Sequence, residues 1–157
     1  MVELNGTELT IEQVMAVARH KEQVRISEPA KQKIDRARAY VDEKLAQKAV
    51  IYGLTTGFGK FSDTFVPEQE TAALQRNLII SHACGMGAPL PCEVVRGAML
   101  LRCNALARGN SGIRLSTLET LLAMLNRGVH PVVPEKGSLG ATGDLAPLSH
   151  KIGRAHV

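Results

Sequence analysis

Apolar residues recur at helical spacing in several stretches of the chain, and this pattern predicts a mainly α-helical protein. Thr10 is followed three residues later by Gln13, which is typical of a capping box and predicts a short helix there. Ser27 marks a second helix start before Pro29, because proline is tolerated in a first helical turn, and this helix should continue to about Lys48. The apolar positions expected to face inward along these two helices are Val14, Val17, Ala18, Ile34, Val41 and Leu45.

The middle of the chain predicts three more helices. The first begins after Pro67 and ends near Gly85, and the second extends over about residues 92–107. The third opens at Ser116, which together with Glu119 fits another capping box. The leucines that repeat along the first and third of these helices are Leu74, Leu78, Leu118, Leu121, Leu122 and Leu125.

The last part of the chain begins with a segment that cannot be helical, since residues 130–134 contain two prolines. A glycine-rich loop follows over Gly137–Asp144, and a final helical pattern starts at its end. Over residues 151–157 that pattern gives way to a sequence that matches a translated reading frame of a common sequencing adapter. We therefore expect residues 1–150 to be native and residues 151–157 to be a non-native tail.

Composition narrows the class of protein. The chain has 157 residues, 45% of them hydrophobic but only 3% aromatic, which suits packed helices better than a β-sandwich. The net charge of +4 is spread among alternating acidic and basic residues, which disfavours nucleic-acid binding. No leader pattern and no apolar run near the ~20 residues of a membrane span are present, so we expect a cytoplasmic protein without a membrane partner. The three cysteines lack metal-ligand spacing, so no metal is expected.

The loop over Gly137–Asp144 has three interpretations. Its G-x-x-G-x-x-G spacing and the lack of a following G-K-[ST] disfavour a phosphate-binding loop. An ordinary tight turn is a better interpretation. The third is that Ala141-Thr142-Gly143 cyclises on itself, because small residues flank a hydroxylated one.

Cyclisation would give the chain a chemistry that ordinary side chains lack. The amide nitrogen of Gly143 can attack the carbonyl of Ala141, since neither side chain blocks its approach. Loss of water gives a five-membered imidazolone, and a second dehydration across the Cα–Cβ bond of Thr142 leaves a conjugated exocyclic alkene. The product is an electrophile, suited to covalent catalysis in which the substrate is the nucleophile.

Six ordered segments of the chain resemble the histidine/phenylalanine/tyrosine ammonia-lyase family, which carries a 4-methylideneimidazole-5-one (MIO) group made from an Ala-Ser-Gly tripeptide. The segments are Tyr52–Gly59, Leu74–Leu78, Ser81–Gly85, Leu101–Leu106, Ser111–Arg114 and Gly137–His150. Together they extend the resemblance over roughly residues 2–150.

The resemblance implies the fold and the assembly. It implies a mainly α chain that forms the N-terminal helical, MIO-bearing domain of the ammonia-lyase (fumarase/aspartase-like) fold, truncated before the long central helical bundle. It also implies a homotetramer whose active sites are built from several subunits. Because the bundle and further substrate-binding residues lie beyond this chain, we expect the chain by itself to be inactive.

Roles carry over from the family residue by residue. Tyr52 matches the base that takes a proton from the substrate's β-carbon, a role that needs a local positive potential to ionise its phenol. Without the resemblance, a half-buried core tyrosine would be the better interpretation. Asp144 follows the tripeptide as in the family. The residues that match the prosthetic group and the mobile lid loop are Ala141, Thr142, Gly143, Gly53, Gly57 and Gly59.

Substrate choice is carried by Ser81-His82. Relatives that act on histidine have Ser-His at this pair, whereas those that act on phenylalanine or tyrosine have Phe-Leu or His-Leu. An imidazole substrate needs polar partners, which His82 can offer; the alternative is that His82 only complements a helix C-terminus. We therefore expect deamination of L-histidine to trans-urocanate and ammonia, the first step of histidine degradation. The alternatives are a phenylalanine or tyrosine ammonia-lyase, an aminomutase, or a non-catalytic homologue.

Thr142 departs from the family, which usually has serine at this position. Dehydration of threonine would leave an ethylidene in place of the methylidene group. The additional methyl lies on the carbon that the substrate amine must attack, and β-branching restricts the rotamer needed for elimination. Thr142 should therefore slow or prevent formation of the prosthetic group. No metal or nucleotide cofactor is expected.

Overall fold

The computed structural model describes residues 1–53, 55–56, 68–140 and 144–153. Within these ranges the chain is mainly helical, as the apolar pattern predicts. The helices are α1 (Ile11–Ala18), α2 (Glu28–Ala46), α3 (Glu68–His82), α4 (Cys92–Ala107), α5 (Leu115–Asn126) and α6 (Leu145–Gly153). The strands are β1 (Val2–Leu4), β2 (Val24–Ile26), β3 (Met86–Pro89) and β4 (Pro134–Lys136).

The chain divides into two compact units. The first unit combines Met1–Val41 with Pro89–Val133, and the second combines Asp42–Ala88 with Pro134–Val157. None of the described helices is both long and apolar enough to cross a lipid bilayer.

The hydrophobic core belongs to the first unit. Helix α4 packs against α1 and α5, and the strands β1 and β2 pair in parallel, with Val2 opposite Val24 and Leu4 opposite Ile26. Each strand shows its outer residues buried and its middle residue exposed, so one face of this small sheet closes the core. The largest fully buried apolar side chains of this core are Leu4, Ile34, Met99, Leu100, Leu118 and Leu125.

A buried arginine ties three helices of the first unit together. Arg96, in α4, is 2% exposed, and its guanidinium donates to the carbonyl oxygens of Val17 at 2.8 Å, Ala18 at 3.2 Å and Leu125 at 2.9 Å. These carbonyls lie at the C-terminal ends of α1 and α5, and that of Leu125 also accepts from the backbone N–H of Gly128 at 3.2 Å. The cation therefore satisfies helix C-termini, whose partial negative charge also stabilises it.

Most predicted helix boundaries are confirmed, but the start of α5 differs, and the final helix continues to Gly153 where the pattern was expected to give way after residue 150. The Thr10–Gln13 capping box is present, and the Ser27 hydroxyl accepts from the backbone of Ala30 at 3.4 Å. The capping box at Ser116 is wrong: α5 begins at Leu115 with Arg114 as its extended N-cap residue, so Ser116 is already inside the first turn. The carbonyl of Ser116 instead accepts from the hydroxyl of Thr120 at 2.8 Å.

The second unit has little core of its own among the described residues. Helices α3 and α6 pack together and β3 pairs with β4, yet the only apolar side chain buried there is that of Ala146. Leu45, predicted to face inward, is 38% exposed, because α2 passes out of the first unit's core before it ends. Other large apolar side chains exposed in the second unit are Val50, Tyr52, Ile80, Met86, Leu139 and Leu145.

Candidate functional site

Every described candidate residue lies in the second unit, within Asp42–Ala88 or Pro134–Val157. These residues are Tyr52, Gly53, Ser81, His82 and Asp144. The predicted prosthetic-group and lid residues Ala141, Thr142, Gly143, Gly57 and Gly59 lie outside the described residues. The fold therefore brings together two segments far apart in sequence, while the core remains in the first unit.

Tyr52 lies on a turn whose backbone is fixed by two threonines. The Thr55 hydroxyl accepts from the backbone N–H of Ile51 at 2.9 Å and donates to the carbonyl oxygen of Ala49 at 2.7 Å. The buried Thr56 hydroxyl accepts from the N–H of Gly53 at 3.2 Å. The residues on both sides of Tyr52 are thus held, and its side chain, 62% exposed, projects from the turn. Gly53 has φ of +72°, which this turn requires.

Ser81 and His82 form the last turn of α3, where both side chains meet one carbonyl. The Ser81 hydroxyl donates to the carbonyl oxygen of Leu78 at 2.8 Å, and Nδ1 of His82 lies 2.8 Å from the same oxygen. The Ser81 oxygen is also 3.0 Å from Nδ1 of His82. Hydrogen bonds therefore hold the two side chains to the helix and to each other without any ligand.

This arrangement selects the tautomer of His82. A carbonyl oxygen can only accept, so the short contact with Leu78 requires the proton on Nδ1. In the neutral ring Nε2 is then an acceptor, and among the described residues it has no hydrogen-bond partner. The half-buried ring of His82 can thus receive an N–H from a ligand.

The two ends of the predicted tripeptide loop are linked by a side-chain hydrogen bond. The Ser138 hydroxyl donates to a carboxylate oxygen of Asp144, across the positions that hold Ala141–Gly143. The flanking residues both adopt left-handed backbone conformations, with φ of +70° at Gly140 and +59° at Asp144. The second value is uncommon for a residue with a side chain, although aspartate tolerates it better than most. The backbone therefore takes the left-handed conformation immediately before and immediately after the tripeptide.

A close backbone approach joins the Ser81-His82 end of α3 to the segment that precedes the tripeptide. A Cβ atom built on Gly137 would lie 3.0 Å from Cα of Gly85, and Gly137 has φ of +132°. A Cβ atom on Gly85 would lie 3.1 Å from Cβ of Pro134. A Cβ atom at either position would crowd its neighbours, so the glycines let these two segments lie close together.

Two residues of this site have no role assigned from sequence, Ser138 and His150. Nε2 of His150, in α6, accepts from the backbone N–H of Gly85 at 3.0 Å. Both residues lie inside the segment Gly137–His150 that resembles the family, so the sequence could have indicated them as candidates. The sequence could not predict that His150 contacts Gly85, because the two residues are 65 positions apart.

Two other kinds of candidate site are possible among the described residues, a cleft and a metal-binding cluster, and neither offers groups for catalysis. An open cleft of about 600 Å³ lies in the first unit, and its charges pair with one another: Arg25 with Glu3 at 2.6 Å and Lys31 with Glu28 at 3.6 Å. In the described ranges, no three His, Cys, Asp or Glu side chains are grouped as a metal would require.

Comparisons with known proteins identify relatives of this chain. The sequence model of the aromatic amino acid lyase family matches residues 9–154. The chain is 58% identical, over 95% of its length, to histidine ammonia-lyase from Alkaliphilus oremlandii. Its fold is similar to the crystal structures of histidine ammonia-lyase from Trypanosoma cruzi, with a TM-score of 0.87 and 38% identity, and of the ergothioneine-degrading ergothionase from Treponema denticola, with a TM-score of 0.89 and 36% identity.

The matches cover nearly all of this chain but a minor part of each relative. The chain spans 29% of the Alkaliphilus oremlandii protein. The match to the Trypanosoma cruzi structure includes 96% of this chain and 29% of the other chain. The match to ergothionase includes 95% of this chain and 30% of the other chain.

Proposed function

Since the chain belongs to the aromatic amino acid lyase family, we propose that it forms the amino-terminal part of an enzyme that deaminates L-histidine to trans-urocanate and ammonia. In this proposal residues 1–150 are the native portion and residues 151–157 a non-native tail. The observation that carries the proposal is the acceptor Nε2 of His82, held in the same unit as Tyr52 and Asp144.

His82 would recognise the imidazole of the substrate. Its Nδ1–H is committed to Leu78, so Nε2 offers a lone pair to an imidazole N–H. A phenyl ring has no such donor, and its binding would leave Nε2 without a partner. An unpaired polar group of this kind costs about 1–3 kcal/mol, so the pair discriminates in favour of histidine. The identity to curated histidine ammonia-lyases supports the same assignment.

Tyr52 would take the proton from the β-carbon of the substrate. The two threonine hydrogen bonds hold its backbone while the phenol remains exposed to a ligand. Gly53, with Gly57 and Gly59, would form the lid loop that covers the bound amino acid.

Ala141–Gly143 would form the MIO-type group, which supplies an electrophilic carbon for the substrate amine. The bond from Ser138 to Asp144 and the left-handed residues at both ends of the loop fit such a group, since they draw its ends together. Asp144 would thereby help to keep the tripeptide compact. With Thr142, the group would carry an ethylidene in place of the methylidene.

The active assembly would need more than this chain. The second unit exposes seven large apolar side chains among its described residues, and its site residues lack a core beneath them. Burial of that surface by the remainder of the polypeptide and by other subunits is consistent with a cytoplasmic homotetramer. The first requirement for any assay is therefore the complete reading frame that contains residues 1–150.

The full-length protein should be assayed with L-histidine, L-phenylalanine, L-tyrosine and ergothioneine. We expect ultraviolet absorbance of urocanate from histidine and little turnover of the other compounds. Mass spectrometry of the loop peptide should show loss of two waters from Ala141–Gly143. Thr142→Ser is the matched variant, and it should raise both the cyclised fraction and kcat.

Each other outcome has a distinct meaning. Cinnamate or coumarate as the main product would identify a lyase of other selectivity, and a β-amino acid would identify an aminomutase. An unmodified tripeptide without activity, in both the Thr142 protein and Thr142→Ser, would identify a non-catalytic homologue and overturn the proposal.

A further inference from the structure

Helix α6 is hydrogen-bonded to the loop that follows the substrate-selecting end of α3. Nε2 of His150 lies 3.0 Å from the backbone nitrogen of Gly85, and the two residues are 65 positions apart. Because a backbone N–H can only donate, His150 is the acceptor and its neutral ring carries the proton on Nδ1. Gly85 comes three residues after His82, and His150 lies one helix turn and a half into the helix that begins after Asp144.

A side chain at position 85 would displace the imidazole of His150 from this contact. A Cβ atom on Gly85 would lie 2.8 Å from Nε2 of His150 and 3.1 Å from Cβ of Pro134. Gly85 is thus enclosed between the helix after the tripeptide and the segment before it. Its N–H is partly buried, so loss of the acceptor would leave a donor without a partner.

We infer that His150 is a positioning residue for substrate recognition, acting through Gly85 on Ser81 and His82. This inference rests on the proposed function, because it assigns His82 to the substrate side chain. The acceptor on α6 fixes the end of α3 against the loop that carries the electrophile. This hydrogen bond therefore helps to hold the end of α3, and with it Nε2 of His82, where the imidazole of the substrate would be bound. Without it, Nε2 of His82 is displaced and its hydrogen bond to the imidazole is weakened, which raises KM.

The test is a series of substitutions at His150 in the full-length protein. His150→Gln keeps an acceptor near the position of Nε2, His150→Asn keeps one that is too short to reach Gly85, and His150→Leu removes the acceptor. We expect KM for histidine to rise about tenfold in the Leu and Asn variants, equivalent to about 1.4 kcal/mol, with kcat changed less than threefold. His150→Gln should restore KM to within threefold of the unsubstituted protein.

A merely structural role would give a different pattern. It would lower the amount of active protein, and so the apparent kcat, while KM remained unchanged. That result in His150→Leu overturns the inference. A KM for histidine in His150→Gln that is as high as in His150→Asn overturns it as well. If the Leu variant does not fold, the comparison of Gln with Asn decides. His20→Leu, at an exposed histidine of the first unit, is the matched control and should leave both constants unchanged.

Hydrogen exchange separates this inference from the proposed function. The amide of Gly85 should exchange about tenfold faster in His150→Leu and His150→Asn than in His150→Gln, whether or not the protein turns over histidine. Equal exchange in all three variants overturns the inference even if urocanate is formed. If the Gln variant restores slow exchange of the Gly85 amide but the protein does not act on histidine, the hydrogen bond is supported. Only the proposed function is then contradicted.

Discussion

Nδ1 of His82 lies 2.8 Å from the carbonyl oxygen of Leu78, one helical turn earlier. This single contact decides which nitrogen of the ring is an acceptor, and so what kind of ligand the end of α3 can bind. A histidine in the last turn of a helix can hydrogen-bond a carbonyl of that turn through one ring nitrogen, and here Nδ1 makes that bond. The remaining nitrogen is therefore available for recognition.

Replacing Ser81-His82 by His-Leu should change the substrate preference of the full-length protein. The substitution removes the Nε2 acceptor and adds an apolar side chain where the imidazole would be bound. We expect kcat/KM for histidine to fall about 10- to 100-fold, because one hydrogen bond in a desolvated site is lost. Turnover of tyrosine should rise, measured as coumarate absorbance. His130→Leu, an exposed histidine of the first unit, is the control. An unchanged ratio of histidine to tyrosine turnover would remove the pair from substrate recognition.

Tyr52→Phe should abolish most of the activity without unfolding the turn. The substitution deletes only the phenolic oxygen, and the threonine bonds on either side involve backbone atoms. Loss of a general base lowers kcat about 10²- to 10⁴-fold. Tyr40→Phe, an exposed tyrosine on α2, is the matched control and should retain activity. Steady-state kinetics with histidine measures both variants. Near-normal kcat in Tyr52→Phe would assign proton removal to another group.

Arg96→Met should destabilise the first unit strongly. Methionine fills part of the same volume but removes the guanidinium N–H groups that donate to the carbonyls of Val17, Ala18 and Leu125, of which only the last keeps a backbone donor, the N–H of Gly128. We expect the free energy of unfolding to fall by about 2–4 kcal/mol, since buried acceptors lose their partners. Arg102→Met, at an exposed position of the same helix, should change it by about 0.5 kcal/mol or less. Urea denaturation followed by circular dichroism gives both values, and equal losses would contradict the role of Arg96.

Cys103 should make stability depend on pH in alkaline solution. Burial raises the pKa of its thiol to about 12, and the neighbouring positive charge of Arg102 offsets this only in part. In the unfolded chain the thiol ionises near pH 8.5–9, so its contribution is fully present below that range and is lost as pH rises toward 12. The free energy of unfolding should therefore fall more steeply above pH 9 in the unsubstituted chain than in Cys103→Ala.

The comparison of slopes removes the effect of the cavity that alanine leaves, because the cavity lowers stability equally at every pH. Iodoacetamide at pH 8 gives an independent check: the exposed Cys92 should be alkylated while Cys103 remains unmodified in the folded chain. Parallel pH slopes for the two proteins would show that the Cys103 thiol does not ionise differently on folding.

Local sequence patterns predicted the helices because their determinants are local. The capping box at Thr10, the extent of α4 from Cys92 to Ala107 and the prolines before Gly137 each act over a few residues. The same kind of reasoning was wrong at Ser116, where the chain enters α5 one residue earlier and the serine no longer precedes the helix. The three-residue strands β1 and β2 were not predicted, because alternation over three positions is too short a signal.

The sequence by itself determined the family and the candidate residues, because the motifs that carry them are continuous stretches of chain. Tertiary structure decided how those residues are used. The hydrogen bond from Gly85 to His150 and the close approach of Gly85 to Gly137 join segments more than fifty residues apart, and no local pattern encodes such a pairing. The proton on Nδ1 of His82 follows from a contact within α3, since the carbonyl oxygen of Leu78 can only accept and therefore requires a donor there.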